Sequence, residues 1–246
     1  MMVSKRTALV TGASRGIGLA VARRLAAEGF ALTLAARRPE PLHEAAAQLR
    51  ALGAEVTAVP ADVSDEAQAE AVAGEHLSRY DALDVLALCA GTGSVGSLDD
   101  YPVRRWDRQF AVNVRSAFLL VQRLLPALRT AAARSEHGAR VVAIASITGV
   151  TAEPGLAAYS ASKAALISLC ESITVSEGAQ GVTATAVSPG YVETDMTAWM
   201  HDRLDPAAMI RAEDVAELVA GVCRLSRTAV VPNIVMTRPG PQLWRA

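Results

Sequence analysis

No apolar run in this sequence approaches the roughly 20 residues that a membrane-spanning helix needs. Nor is there an excess of charge of one sign. With 24 lysines and arginines against 25 aspartates and glutamates, the formal net charge is −1, which leaves no electrostatic footprint for nucleic acid or an anionic membrane. Cysteine is scarce: Cys89, Cys170 and Cys223 are odd in number and widely scattered, which excludes a disulfide framework and fits apolar filler in a reducing compartment. The four histidines, His43, His76, His137 and His201, form no ligand-like pair with one another or with a cysteine, so no metal site is expected. The opening Met-Met-Val-Ser-Lys-Arg runs into Thr7-Ala-Leu-Val10 without a signal-type apolar region, and a soluble, cytoplasmic protein is expected. Internal repeats, low-complexity tracts and Pro/Ser-rich linkers are also lacking.

What is present is a steady alternation. The 246 residues, 51% of them hydrophobic, suffice for one well-buried domain and are few for two. β-type runs at Thr7–Val10, Ala31–Ala36, Glu55–Val59, Asp84–Cys89, Arg140–Ala145, Thr183–Val187 and near Asn233–Thr237 are separated by helical periodicity. Helices are expected over Ile17–Gly29, Pro41–Leu52 and Asp65–Ser78, the last capped by Ser64 or Asp65, then around Trp106–Leu125, over 156–177 and at Glu213–Leu225. Such an order predicts an α/β fold: a doubly wound, Rossmann-type parallel sheet of about seven strands with helices on both faces, in a single domain, 1–246. Two stretches break the rhythm, 92–105 and 191–212. Long connections at the carboxyl ends of parallel strands are where such sheets bind ligands. The second carries Met196, Trp199, Met200 and Leu204, which either form an apolar lid over a substrate or pack a short helix on the core.

Between the first strand and first helix lies Thr11-Gly-Ala-Ser-Arg-Gly-Ile-Gly18. Glycines at 12, 16 and 18 allow a tight turn and let a pyrophosphate approach the helix N-terminus, where free N–H groups favour anions. The spacing is G-x-x-x-G-x-G. The second strand ends in Arg37-Arg38, where an acidic residue would hold an adenosine ribose 2′-hydroxyl. Arginine there suits a 2′-phosphate, with Arg15 as a further positive charge, so NADP(H) is expected over NAD(H). Tyr159 and Lys163, four apart on one helical face, put an ammonium beside a phenol. That charge is expected to lower the tyrosine pKa toward neutrality, as befits a proton donor. Ser146 stands at the end of the run Val141–Ala145.

With these stretches assembled, the chain resembles the short-chain dehydrogenase/reductase family over essentially its whole length. The resemblance rests on T-G-x-x-x-G-x-G at 11–18, Asp62-Val63, Ala90-Gly91, Asn113 in AVNVRSAF, Ser146 in IASITG, Tyr159, Lys163, and Pro189-Gly190-Tyr-Val-Glu-Thr194. It implies that Tyr159 exchanges a proton with the substrate oxygen, Ser146 hydrogen-bonds that oxygen, Lys163 holds the nicotinamide ribose and Asn113 positions a proton-relaying water. It also implies cofactor contacts from Gly12, Ser14, Arg15, Gly16, Ile17 and Gly18, from Arg37 and Arg38, from Asp62 and Val63 at the adenine, and from Ala90 and Gly91 at the ribose. Around the nicotinamide it implies Pro189, Gly190, Val192 and Thr194, beside Tyr159 and Lys163. Family habit further implies a homotetramer or homodimer.

Two departures stand out. Leu88-Cys89-Ala90-Gly91 replaces the usual Asn-Asn-Ala-Gly, removing polar side chains near the ribose. The ending Val230–Pro239 lacks the Asp-Gly-Gly pattern of 3-oxoacyl reductases and looks more like that of enzymes acting on small hydroxy acids and varied carbonyls. The expectation is an NADP(H)-linked oxidoreductase interconverting a carbonyl compound and an alcohol, with a 3-oxoacyl substrate less favoured. A non-catalytic NADPH sensor on the same fold is the alternative. A sugar-nucleotide epimerase is disfavoured because little chain follows residue 212.

Overall fold

The computed structural model describes residues 5–240; the opening residues 1–4, on which part of the reading of a missing signal segment rests, lie outside them. One parallel sheet of seven strands runs in the order β3-β2-β1-β4-β5-β6-β7. The strands are β1 Thr7–Thr11, β2 Ala31–Ala36, β3 Val56–Pro60, β4 Val85–Leu88, β5 Ala139–Ile144, β6 Val182–Pro189 and β7 Asn233–Met236. Every residue of β1, β2, β4, β5 and β6 is buried, as continuous Val/Ala/Leu runs require when helices cover both faces. The edge strands β3 and β7 are only partly buried, and Pro60 ends β3 at that edge, the next N–H, of Ala61, donating to the Ala36 carbonyl at 2.9 Å.

α1 Gly16–Ala27, α2 Pro39–Ala51 and α7 Ala212–Arg224 cover one face, and α3 Glu66–Arg79, α5 Ser116–Arg134 and α6 Ala157–Glu177 the other. Val21, Leu25, Leu42, Leu49, Val215 and Val219 build the first core; Val72, Leu120, Leu124, Leu166 and Ile173 build the second. Each such side chain contributes about 1.5–3 kcal/mol when fully buried. Asp65 caps α3, its carboxylate accepting from the Gln68 N–H at 3.0 Å. α2 starts two residues before its predicted start because Pro39, at the first helical position, has no donor to lose there.

The helix expected around Trp106–Leu125 is three pieces. α4 spans Val103–Phe110, a π-helical turn spans Ala111–Arg115, and α5 continues through Pro126 to Arg134. Beyond the proline, the buried Ala127, Leu128, Ala131 and Ala132 keep the helix on the sheet at the cost of one backbone hydrogen bond. Another polar feature is internal. Arg140, fully buried in β5, donates to Thr183 Oγ1 at 2.5 Å and to the carbonyls of Leu225, Ser226 and Ala229, which ties the loop after α7 to the sheet.

Candidate active site

The strand order reverses between β1 and β4, and a crevice opens at the carboxyl ends of the strands there. Gly12 (φ +65°) and Gly16 (φ +53°) carry the chain out of β1 in the left-handed region. A Cβ on Gly12 would lie 2.9 Å from the Ala90 N and the Cys89 O, and one on Gly18 only 2.3 Å from the Gly12 O. Among the described residues no side chain caps the N-terminus of α1, and no acid sits in its first turn, so its N–H groups remain available to an anion. Thr11 Oγ1 accepts from the Cys89 N–H at 3.1 Å and the Ala90 N–H at 3.0 Å. That hydroxyl satisfies the backbone where the Asn-Asn pair is missing.

A cleft of about 200 Å³ follows this turn. On its wall stand Gly12, Ser14, Arg15, Gly16, Ile17, Gly18, Arg37, Arg38, Asp62, Val63, Ala90, Gly91 and Thr194, all foreseen from sequence. Cys89, Thr92, Arg108, Val112 and Asp195 line it too and were not foreseen, and Met196, expected as a lid residue, joins them. Cys89 is therefore on the cleft wall, whereas Cys170 and Cys223 are buried in the cores. Arg15 forms an ion pair with Asp195 from the segment after β6, with both side chains exposed at the cleft mouth. Asp62 Oδ1 accepts from the Ser64 N–H (3.0 Å) and hydroxyl (2.6 Å). Burial works to raise its pKa, but the Ser64 hydrogen bonds and the charges of Arg37 and Arg108 prevail and hold it below the ordinary carboxylate value.

The four predicted catalytic residues meet at the inner end. Ser146, after β5, begins a single 3₁₀ turn, Ile147–Gly149, and accepts from the Thr148 N–H (3.2 Å) and hydroxyl (3.0 Å), which fixes its rotamer. Tyr159 lies in the first turn of α6, and the backbone of Gly93 packs so closely on its ring that a Cβ there would sit 3.1 Å from it. Lys163, one turn on, places Nζ 5.6 Å from the centre of that ring and donates to the Ile144 carbonyl at 2.7 Å. Asn113, buried in the π-helical turn, accepts from the Thr92 N–H (2.8 Å) and donates to the Thr92 carbonyl and Ser162 Oγ, both at 2.9 Å. A Cβ on Gly91 would lie 3.5 Å from Lys163 Nζ and 3.6 Å from Asn113 Oδ1, so those two groups converge on this glycine.

The electrostatics overturn one expectation. Loss of water pushes the Tyr159 hydroxyl up to about 12, and a hydrogen bond with Ser146 opposes this only in part. Lys163 does not bring it toward neutrality: the same desolvation drives the ammonium itself down to about 8, and one of its three N–H donors goes to the Ile144 carbonyl.

A second cavity of about 250 Å³ adjoins the first. Gly93, Ser94, Val95, Ser146, Thr148, Leu156, Tyr159, Gly190, Tyr191, Met196, Thr197 and Trp199 line it, with no Asp, Glu, Lys, Arg or His. Met196 borders both cavities. Of the residues expected around a nicotinamide, Gly190 and Tyr159 thus face this second cavity, and Lys163 is buried behind it. Pro189 ends β6 paired with Met236, and Val192 is core, bridged to Ile210. The 191–212 segment is two 3₁₀ turns, Ala198–Met200 and Pro206–Ala208, pinned by the Thr197 hydroxyl donating to the Val192 carbonyl at 2.6 Å. Trp199, half exposed at 50%, meets the Tyr191 ring edge-on at 6.1 Å.

Comparison with known proteins agrees with this geometry. The chain is 38% identical over 203 residues to 2-(R)-hydroxypropyl-CoM dehydrogenase of Xanthobacter autotrophicus, covering 80% of this chain and 79% of that protein. It is 38% identical over 208 residues to the rhamnolipids biosynthesis 3-oxoacyl-[acyl-carrier-protein] reductase of Pseudomonas aeruginosa, covering 83% and 78%. A short chain dehydrogenase from Burkholderia cenocepacia, solved in complex with NADP, superposes with a TM-score of 0.83 at 33% identity over 95% of each chain. The family model for short chain dehydrogenase matches residues 6–204, and the chain belongs to the short-chain dehydrogenase/reductase family.

Proposed function

We propose that the protein is an NADP(H)-dependent oxidoreductase that interconverts a carbonyl compound and an alcohol. The observation that carries this reading is the pairing of the two cavities: Tyr159 and Ser146 stand on the wall of a charge-free one, beside a cleft built for phosphates. The donor set fits the cofactor. Uncapped N–H groups at α1 suit a pyrophosphate, and Arg37 and Arg38 suit a 2′-phosphate. When bound, NADPH supplies the hydride that reduces the carbonyl carbon.

The chain's own residues do the rest. Ser146 holds the substrate oxygen by a hydrogen bond, its hydroxyl oriented by Thr148. Tyr159, protonated across the ordinary pH range, gives its proton to that oxygen in reduction and takes it back in oxidation. Lys163 would hold the ribose hydroxyls of a bound cofactor, and Asn113, which converges with it on Gly91, would position a proton-relaying water. The remaining cofactor contacts are those named on the cleft wall, with Pro189, Gly190, Val192 and Thr194 shaping the nicotinamide end. Residues 191–212 form the lid of the substrate cavity. Its apolar, uncharged wall favours a substrate that is neutral around its carbonyl, and a 3-oxoacyl thioester remains the less favoured class.

The three free thiols fit a cytoplasmic protein. Exposed Leu98, Val103, Phe118 and Val175 offer apolar surface for a homodimer or homotetramer, which light scattering measures. The decisive experiment follows NADPH oxidation over a panel of ketones, aldehydes and a 3-oxoacyl thioester. Turnover of one or more panel members is expected; NADPH binding without consumption across the panel would instead mark the protein as a sensor.

A further inference from the structure

Three arginines surround the outer end of the charged cleft. Arg37 and Arg38 follow β2, and Arg108 comes from the last turn of α4. All three are exposed, and among the described residues none makes an ion pair or a side-chain hydrogen bond. Five other surface arginines, Arg15 at the mouth of the same cleft and Arg123, Arg129, Arg134 and Arg224 away from it, each hold a carboxylate. Unmatched cations gathered on one cavity wall are the signature of an anion site.

Asp62 lines the same wall of the cleft as these arginines. The charges of Arg37 and Arg108 both favour its ionised form, so guanidinium groups from two separate elements act on a single point. Its Oδ1 is occupied by Ser64, and it offers one negative charge against three positive ones. Val112, one turn along from Arg108, lines the same cleft, so this stretch sets an apolar side chain for a base next to a cation for a phosphate.

We propose that Arg108 is a specificity-determining residue for the cofactor, acting with Arg37 and Arg38 to select the adenosine 2′-phosphate. A 2′-phosphate carries nearly two negative charges where NAD(H) has a neutral hydroxyl, so a third guanidinium favours one cofactor and is indifferent to the other. The inference rests on the reading of the protein as an NADP(H) enzyme.

The test is fluorescence titration of NADPH and NADH against the intact protein and its Arg37→Ala, Arg108→Ala and Arg108→Lys variants, at low and high ionic strength. Arg108→Ala is expected to weaken NADPH binding about tenfold while changing NADH less than about twofold, with Arg108→Lys restoring part of the loss. The loss should shrink at high salt, since the side chain is exposed. Equal weakening of both cofactors would make Arg108 a contact to the shared adenine and overturn the proposal, as would no change in either. If the unmodified protein binds NADPH and NADH alike, the NADP(H) reading itself fails. If it prefers NADPH, and Arg37→Ala removes that preference while Arg108→Ala retains it, only the role of Arg108 fails. Thermal melting of each variant separates loss of binding from loss of fold.

Discussion

The cleft beside the glycine turn and the cavity in front of Tyr159 share one side chain, Met196, and little else. One is walled by Arg15, Arg37, Arg38, Arg108, Asp62, Asp195 and bare glycine backbone; the other has apolar and aromatic walls with only hydroxyls for polar groups. The first recognises charge. Few residue types can cradle phosphates, so its chemistry is spelled in short motifs. The second recognises shape, which many combinations of Val, Leu, Met and Trp provide equally well. A charge-reading site next to a shape-reading one is what this difference amounts to, and mutations on either side should leave the other untouched.

Tyr159→Phe should have the largest effect. Removing the acid while keeping the ring is expected to lower turnover by about 10²–10⁴-fold with NADPH affinity unchanged in a fluorescence titration. Turnover near that of the unmodified enzyme would remove Tyr159 from the chemistry. On the other side of the divide, Arg37→Ala should weaken NADPH by about 10–100-fold and leave NADH binding alone, since a hydrogen bond to a charged group contributes about 1.5–3 kcal/mol. Steady-state kinetics of Trp199→Ala should show KM for the carbonyl substrate rising by about tenfold, with the cofactor Kd unmoved. A parallel fall in NADPH affinity would show that the lid serves both cavities.

The smallest effect is a pH dependence. With its ammonium held down to about 8 by burial, Lys163 should lose its proton in the folded enzyme near that pH, and kcat/KM should fall by about half there and continue downward. Stability runs the other way. The folded-state value lies below the ordinary 10.5, so the folded chain releases this proton first; its contribution to stability is complete above 10.5 and is lost as pH falls through about 8. On the stability side, Lys163→Met should therefore leave the melting temperature at neutral pH unlowered. A melting temperature several degrees lower would show that the bond to the Ile144 carbonyl outweighs the buried charge.

The strands, the helices and the ordered motifs were legible because each is a local pattern. What sequence spacing did not show is what depends on depth and on distant partners. Tyr159 and Lys163 do share a helical face, but spacing cannot reveal how little water reaches them, and desolvation governs both groups. Arg15 was placed correctly in the turn, yet its partner Asp195 lies far along the chain. Val192 sits in a motif expected to border the cofactor, but its own side chain packs into the core, bridged to Ile210. Arg108 had no local signal at all: only the folding of α4 over the cleft brings it to Arg37.

The π-helical turn at Ala111–Arg115 adds a residue to what would otherwise be an unbroken helix from Val103 to Arg134. Each residue turns a helix by about 100°, so excising Val114 would rotate everything upstream by that angle relative to the seated Leu120 and Leu124. Arg108 and Val112 would swing off the cleft wall while the core stayed shut. The loosened turn is thus an angular spacer, setting the ligand-facing half of the helix independently of its anchored half.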